Sequence, residues 1–370
     1  MQRAGPTTWT KRSTQIGDTT ALDCVQGSAT PDWIPPVAWA RGSLGEPLAI
    51  AGQERSQGKV STLETVSNGA SGPAKAAPLS VPSSWEILRT ACSMVGLDDN
   101  DARLIRLGEN ALFHLPKDGI VVRIARTTDY WTDVAKEVNV AHWLAKMRFP
   151  AARVYDVPQP VSAEGYPVTF WCFIAGRPGD RRDIATLGTV LRRLHATPPP
   201  ITFRLPHENI LGRVKRRIEA AMVSLADKSV LLQRLSFLQS KLLGLRYHLQ
   251  PAPTHGDAHC ENLMICDSGP VLIDFERFAW GQPEWDLAMT ATEYLTAKWW
   301  TDDEYGQFVD AYGYDVTCWT EGFDVLRAVH ELKMTTWLMQ NVAESIEIAD
   351  EYQVRMRTLR GESSSGWRPF

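Results

Sequence analysis

Three oxygen-bearing side chains stand close together in the stretch THGDAHCENLMICDSGPVLIDFERFAWGQPEWDLA, residues 254–288. Asp257 follows His255-Gly256, Asn262 comes five positions later, and Asp274 ends an apolar run. The segments Leu263–Cys266 and Val271–Ile273 flank Asp267-Ser268-Gly269, a strong turn signal, so the stretch reads as a β-hairpin. A hairpin brings its two ends together, which sets Asn262 beside Asp274. An amide oxygen and a carboxylate so placed suit Mg²⁺, a hard cation that takes oxygen ligands and bridges the phosphates of ATP. Asp257, one short loop away, lies within reach of an acceptor hydroxyl and can orient it and take its proton.

An isolated His-Gly-Asp is a weak signal, because an Asp after a Gly is most often a turn residue. The set is stronger: an Asn at a fixed offset, a hairpin, and an Asp at a strand end. On these residues the chain resembles the aminoglycoside phosphotransferase and choline kinase-like family, relatives of the protein kinases. The pattern stands here as His255-Gly256-Asp257, Asn262, Ile273-Asp274 and Asp286-Leu287-Ala288. The resemblance implies that Asp257 is the catalytic base and that Asn262 and Asp274 bind magnesium. It also implies that His255, Gly256 and Asp286 are structural in the catalytic loop. Glu276, two positions after Asp274, is a further candidate to touch metal or substrate. His259 and Glu261 fall in the variable part of the loop and read as solvated or locally hydrogen-bonded. The sequence has no Asp-Phe-Gly at Asp274-Phe275-Glu276, which argues against a protein kinase.

The nucleotide side is marked more faintly. A kinase needs a turn over the phosphates, a cation for them, and a carboxylate on a helix to steer that cation. Leu107-Gly108-Glu109-Asn110-Ala111-Leu112-Phe113 resembles the family's phosphate-covering turn, with Gly108 and Asn110 at its centre. Arg123 stands where many members carry Lys. Arg can clamp phosphate with two donors, but the two residues are not interchangeable. Glu137 on the following helix is the natural partner for Arg123. ATP, or GTP, and Mg²⁺ are the implied cofactors.

The elements that must hold these groups change character along the chain. Residues 1–82 are rich in Gly, Ser, Thr, Pro and Ala without lasting apolar periodicity, and read as a disordered extension. From SSWEILRTACSMVGL onward the patterns become regular, with a serine cap and helical spacing. IRLGENALFHLP and GIVVRIAR read as strands, DVAKEVNVAHWLAKM as a helix, and VYDVPQPVSAEGYPVTFWCFI as two further strands. Helices follow near residues 183–196, 208–225 and 228–248. Strand-rich sequence thus gives way to helix-rich sequence near residue 175, which predicts an α+β fold. The expected architecture is bilobal and protein-kinase-like. A small nucleotide-binding lobe spans 83–174, and a larger, mainly helical lobe for catalysis and substrate spans 175–370.

Composition narrows the partners. A formal net charge of −4 gives no reason to expect nucleic acid. No apolar run approaches the length that crosses a bilayer, and no signal peptide is legible at the N-terminus. The six cysteines are scattered without a Cys-x-x-Cys pair, as free thiols in the cytoplasm would be. From Trp280 to Glu351 fifteen acidic residues face three basic ones, a local balance of −12. Such a surface concentrates cationic ligands, so the expected partner is a small, cationic hydroxyl acceptor such as an aminoglycoside, amino sugar or choline. Solvated helix faces are the plain alternative. Trp280, Trp285, Trp299, Trp300, Trp319 and Trp337 could stack on a sugar or cage an ammonium, though at helical spacing they more often form core. The competing functional reading is a catalytically idle, nucleotide-binding kinase homologue acting as a regulator.

Overall fold

The computed structural model of the chain describes residues 79–362 and 366–370, apart from residue 109. The extension expected over 1–82 falls outside these residues except at its very end. There Ser80 caps the first helix, α1 (Val81–Val95), in a reciprocal capping box with Ser83. The cap therefore lies earlier than the expected Ser83–Ser84; Ser84 is already inside the first turn, its hydroxyl donating to Val81 O at 2.7 Å. Gly96 ends the helix with φ +73°, a conformation that glycine adopts without steric penalty.

Five strands then build one antiparallel sheet: β1 (Arg103–Leu107), β2 (Asn110–Leu115), β3 (Ile120–Ala125), β4 (Val161–Ala163) and β5 (Tyr166–Cys172), in the order β1-β2-β3-β5-β4. The stretch expected as one strand from Ile105 to Pro116 is split at Gly108, whose N–H donates to Asn110 O across the turn. Central β3 is buried almost throughout and carries Arg123 opposite Leu112 and Thr169. The helix α2 (Trp131–Lys146) packs beside β5, while α1 packs against β3 and β4. Ile87, Leu88, Phe113, Ile120, Val122 and Phe170 form the apolar core of this region.

The remainder is mainly helical, as the strand-then-helix order predicts, so the fold is α+β. A three-stranded sheet joins β6 (Arg177–Pro178), β8 (Leu263–Cys266) and β9 (Gly269–Leu272), while β7 (Ala252–Thr254) pairs with β10 (Ala279–Gly281). The helices are α3 (Ile184–His195), α4 (Val214–Ala220), α5 (Leu225–Leu242), α6 (Pro283–Thr292), α7 (Asp302–Tyr312), α8 (Thr320–Leu338) and α9 (Ile346–Leu359). The apolar stripe Leu187, Val190, Leu191 and Leu194 of α3 is buried, and α3 packs on α7. The helix expected over 208–225 is shorter than predicted. Residues ahead of it are held elsewhere, with Trp280 N donating to Pro206 O and Glu208 N to Trp280 O. Among the described residues no helix is long and apolar enough to cross a membrane.

Candidate active site

The hairpin has the geometry its turn residues demand. Cys266 pairs with Gly269 at the tip, Gly269 takes φ +113°, and Leu263 pairs with Leu272 at the open end. One bond beyond that pair, Ile273 N donates to Asn262 O at 3.0 Å. Asn262 and Asp274 therefore flank the same open end. Asn262 closes a short 3₁₀ turn, Cys260–Asn262, and is 7 % exposed. Its Nδ2 donates to Asp257 O at 2.8 Å and lies 3.1 Å from His259 Nε2. With the amide nitrogen so engaged, Oδ1 has no protein donor among the described residues and is available to a ligand. Asp274 adopts φ +63°, a left-handed conformation that a non-glycine residue keeps only where its surroundings enforce it. Burial raises the Asp274 carboxyl's pKa, as do Glu276 and Asp257, while Arg123 opposes them. A carboxylate pushed upward by burial and like charge is one that a divalent cation would relieve.

Asp257 is carried by a loop fastened from beneath. Gly256 has φ +78°, and a Cβ there would stand 2.7 Å from Arg277 O, so only glycine fits. Asp286, at the first turn of α6, accepts from His255 N at 2.7 Å and Gly256 N at 2.8 Å. His195 at the end of α3 supplies a third contact, Nε2 to Asp286 Oδ2 at 3.1 Å, and its Nδ1 lies 2.9 Å from the Tyr312 hydroxyl. Burial alone would raise the Asp286 carboxyl; His195 and His255 outweigh it and hold the pKa below the ordinary range. His255 is fully buried and donates from Nε2 to Ile273 O at 2.9 Å, tying the loop to the hairpin. Asp257 itself keeps a side chain 40 % exposed. Burial again works to raise its pKa, but His259, Lys333, Arg277 and His255 together hold it below the usual carboxylate range. It is an ionised, reachable carboxylate, with His259 Nε2 at 3.9 Å from Oδ2.

In the five-stranded sheet, Arg123 of β3 donates to Glu137 of α2, and both are almost wholly buried. Although burial disfavours the Arg123 charge, Glu137, Asp274 and Glu276 outweigh it and hold the guanidinium protonated. Glu276 turns toward this cluster, with Oε1 2.5 Å from Arg213 and Oε2 4.0 Å from Arg123. Lys136 of α2 also donates to Glu276 O. The cleft beside Arg123 is apolar, lined by Ile105, Leu112, Val121, Ala152, Phe173 and Met264, a lining that suits a flat, apolar ligand group. Gly108 and Asn110 border the turn at the end of β1, next to residue 109, which is not described.

Several contributors had no signature in the sequence. His195, Tyr312, Arg213, Lys136 and Lys333 reach the site from elements distant along the chain. The tryptophans divide: Trp285 and Trp319 are core, and Trp299 and Trp300 give their N–H groups to Trp367 O and Glu293.

The donor set fits a metal that shares its coordination with substrate. Among the described residues no three His, Cys, Asp or Glu side chains gather as a self-sufficient metal cage. One amide oxygen and one carboxylate are instead what Mg²⁺ takes when phosphates complete its shell.

A family model described as "phosphotransferase enzyme family" matches residues 104–329. No curated protein sequence gives a match. Among solved structures, an amicoumacin kinase in complex with AMP-PNP, Ca²⁺ and Ami is similar at TM-score 0.61 and 14 % identity, over 76 % of this chain and 94 % of that one. A microcompartment-associated aminopropanol kinase aligns at TM-score 0.59 and 17 % identity, over 75 % of this chain and 98 % of its own. A choline kinase from Streptococcus pneumoniae gives 0.54 and 16 %, over 74 % and 98 %. At such identities these likenesses speak for the fold. The family model spans most of the described sheet, the loop and the hairpin, and by that match the chain belongs to the phosphotransferase enzyme family.

Proposed function

We propose that the chain is a small-molecule kinase that moves the γ-phosphoryl group of ATP or GTP to an acceptor hydroxyl, with Mg²⁺ held by Asn262 and Asp274. The observation that carries this reading is one hairpin end presenting a free amide oxygen and a strained, half-buried carboxylate beside the Asp257 loop. In the proposed reaction the acceptor oxygen attacks the γ-phosphorus, the bond to the β-phosphate oxygen breaks, and the hydroxyl proton passes to Asp257. The nucleoside diphosphate then leaves. Asn262 and Asp274 would hold the Mg²⁺, which would supply neutralisation of the charge building on the transferred group. Arg123, kept charged and aimed by Glu137, would bind the nucleotide phosphates near Gly108 and Asn110. His255, Gly256 and Asp286 keep the Asp257 turn in place. Glu276 acts as the anchor of Arg213 and Arg123 rather than as a metal ligand.

We further propose a cationic acceptor. Support comes from the acidic balance of residues 280–351 and from similar structures named for alcohols with a cationic nitrogen, aminopropanol and choline. A coupled ADP-release screen with Mg-ATP against aminoglycosides, glucosamine, choline, homoserine and basic peptide antibiotics tests both statements. Turnover with an amine-bearing alcohol is expected. Nucleotide binding without turnover of any acceptor would favour the idle, regulatory reading instead.

A further inference from the structure

Lys333 lies on α8, beyond the residues that the family model matches, and no spacing rule ties it to the site. Its Nζ donates to Gly256 O at 3.4 Å, the carbonyl of the peptide that leads into Asp257. The same ammonium stands 4.7 Å from the centre of the Trp285 ring. His330, one helical turn earlier, stacks on that ring at 4.0 Å and donates to Trp285 O, so α8 is locked to α6 at this level. No carboxylate lies within ion-pair distance of Nζ among the described residues.

A part-buried ammonium without a carboxylate partner is a poor structural choice, since an apolar side chain of similar length would pack there without the desolvation penalty. The penalty is visible: burial pulls the Lys333 pKa down to about 8, and the largest opposing influence is Asp257. Conversely, Lys333 is among the charges that keep Asp257 below the ordinary carboxylate range. One of three N–H donors is engaged with the carbonyl, which leaves two for whatever enters beside Asp257. Arg277 flanks the same turn, its backbone packed on Gly256.

We propose that Lys333 is a positioning residue for phosphoryl transfer: reaching in from α8, its ammonium pins the Gly256 carbonyl and so fixes where the Asp257 carboxylate meets the acceptor hydroxyl. The proposal rests on the reading of Asp257 as the base. It also explains why α8, which carries no motif residue, is anchored to the loop through a charged side chain.

The test uses the full chain, Mg-ATP and the acceptor that the ADP-release screen returns, with Asp257→Asn as comparator. Lys333→Met is expected to lower kcat by about 10²-fold, the size of effect that a misplacement of roughly 1 Å can produce. The KM for ATP should stay within about twofold, because Lys333 does not touch the nucleotide cleft. Lys333→Arg should recover part of the loss, and ethylamine added to Lys333→Ala should restore turnover at least about tenfold, which a packing defect would not allow. Turnover of Lys333→Met within about threefold of wild type overturns the proposal. So does a loss that ethylamine leaves unchanged while the thermal midpoint falls in parallel, since Lys333 would then be structural only. If Asp257→Asn keeps wild-type turnover, or no acceptor is turned over, the underlying reading fails and takes the proposal with it. A harmless Lys333→Met beside a dead Asp257→Asn removes the Lys333 proposal alone.

Discussion

The loop and hairpin from Thr254 to Asp274 and the helical region from Trp280 to Glu351 are both rich in acidic or amide oxygens, yet they use them differently. In the first, Asn262 commits only its nitrogen, Asp257 keeps an exposed carboxylate, and Asp274 is strained and crowded by like charge. In the second, most acids already have protein donors. Glu284 accepts from His248 N and Leu249 N, both at 2.7 Å, and Glu293 accepts from Trp300. Glu304 is clamped by Arg181, Asp315 binds Tyr305 and Thr317, Glu331 holds Thr296 and Arg234, and Glu351 pairs with Arg355. A charge count over a region therefore says little about binding until the internal donors are subtracted. Oxygens left without donors are the ones that can take a metal or a substrate.

The sharpest break between the two regions would come from substitution. Asp257→Asn should lower kcat by ~10²–10⁴-fold, the usual cost of losing a positioned proton acceptor. Its thermal midpoint should stay near that of wild type, because the Asp257 carboxylate is partly exposed and binds no backbone donor among the described residues. Glu351→Ala should do the reverse. Glu351 and Arg355 have side chains 1 % and 2 % exposed, so removing one partner should cost about 3–5 kcal/mol in urea unfolding while kcat is unchanged.

A pH experiment sharpens the contrast further. His330 is buried and its pKa is pulled down to about 3 by burial, with Lys333 adding to the effect. The unfolded chain takes up this proton near the ordinary value of 6.5 and the folded chain does not. Stability should therefore fall as pH drops from about 6.5 toward 3, with a slope approaching ~1.4 kcal/mol per pH unit from this group. Denaturation of His330→Gln over the same window should show a shallower slope. The smallest effect is expected on the acidic surface of α7. Asp302 and Asp303 are exposed, and changing both to Asn should shift stability by less than about 1 kcal/mol. The KM for an amine-bearing acceptor should stay within about twofold; a several-fold rise would mean that this face does gather cations.

What could be read from the residues alone was whatever the chain encodes locally. Asp267-Ser268-Gly269 forces a tight turn, and the turn sets the register that brings Asn262 and Asp274 to one end. The strand-then-helix order was equally legible, because periodicity is a local property. The site's supports were not. His195 meets Asp286 and Lys333 meets Gly256 only after α3 and α8 have packed, and nothing at those positions departs from an ordinary helix. Arg213 is a similar case: it lies just before α4, in a stretch expected to be helical, and the contacts of Pro206 and Glu208 with Trp280 hold that stretch out of the helix. The fate of the acids was hidden for the same reason, since a donor such as Arg181 for Glu304 is supplied across more than a hundred residues of chain.

The most direct test is a crystal of the full chain grown with a non-hydrolysable ATP analogue and Mn²⁺, read by anomalous scattering. An ion bonded to both Asn262 Oδ1 and the Asp274 carboxylate at roughly 2.0–2.3 Å, with phosphate oxygens completing its shell, is the predicted result. A nucleotide bound with its metal held by neither side chain would contradict the account.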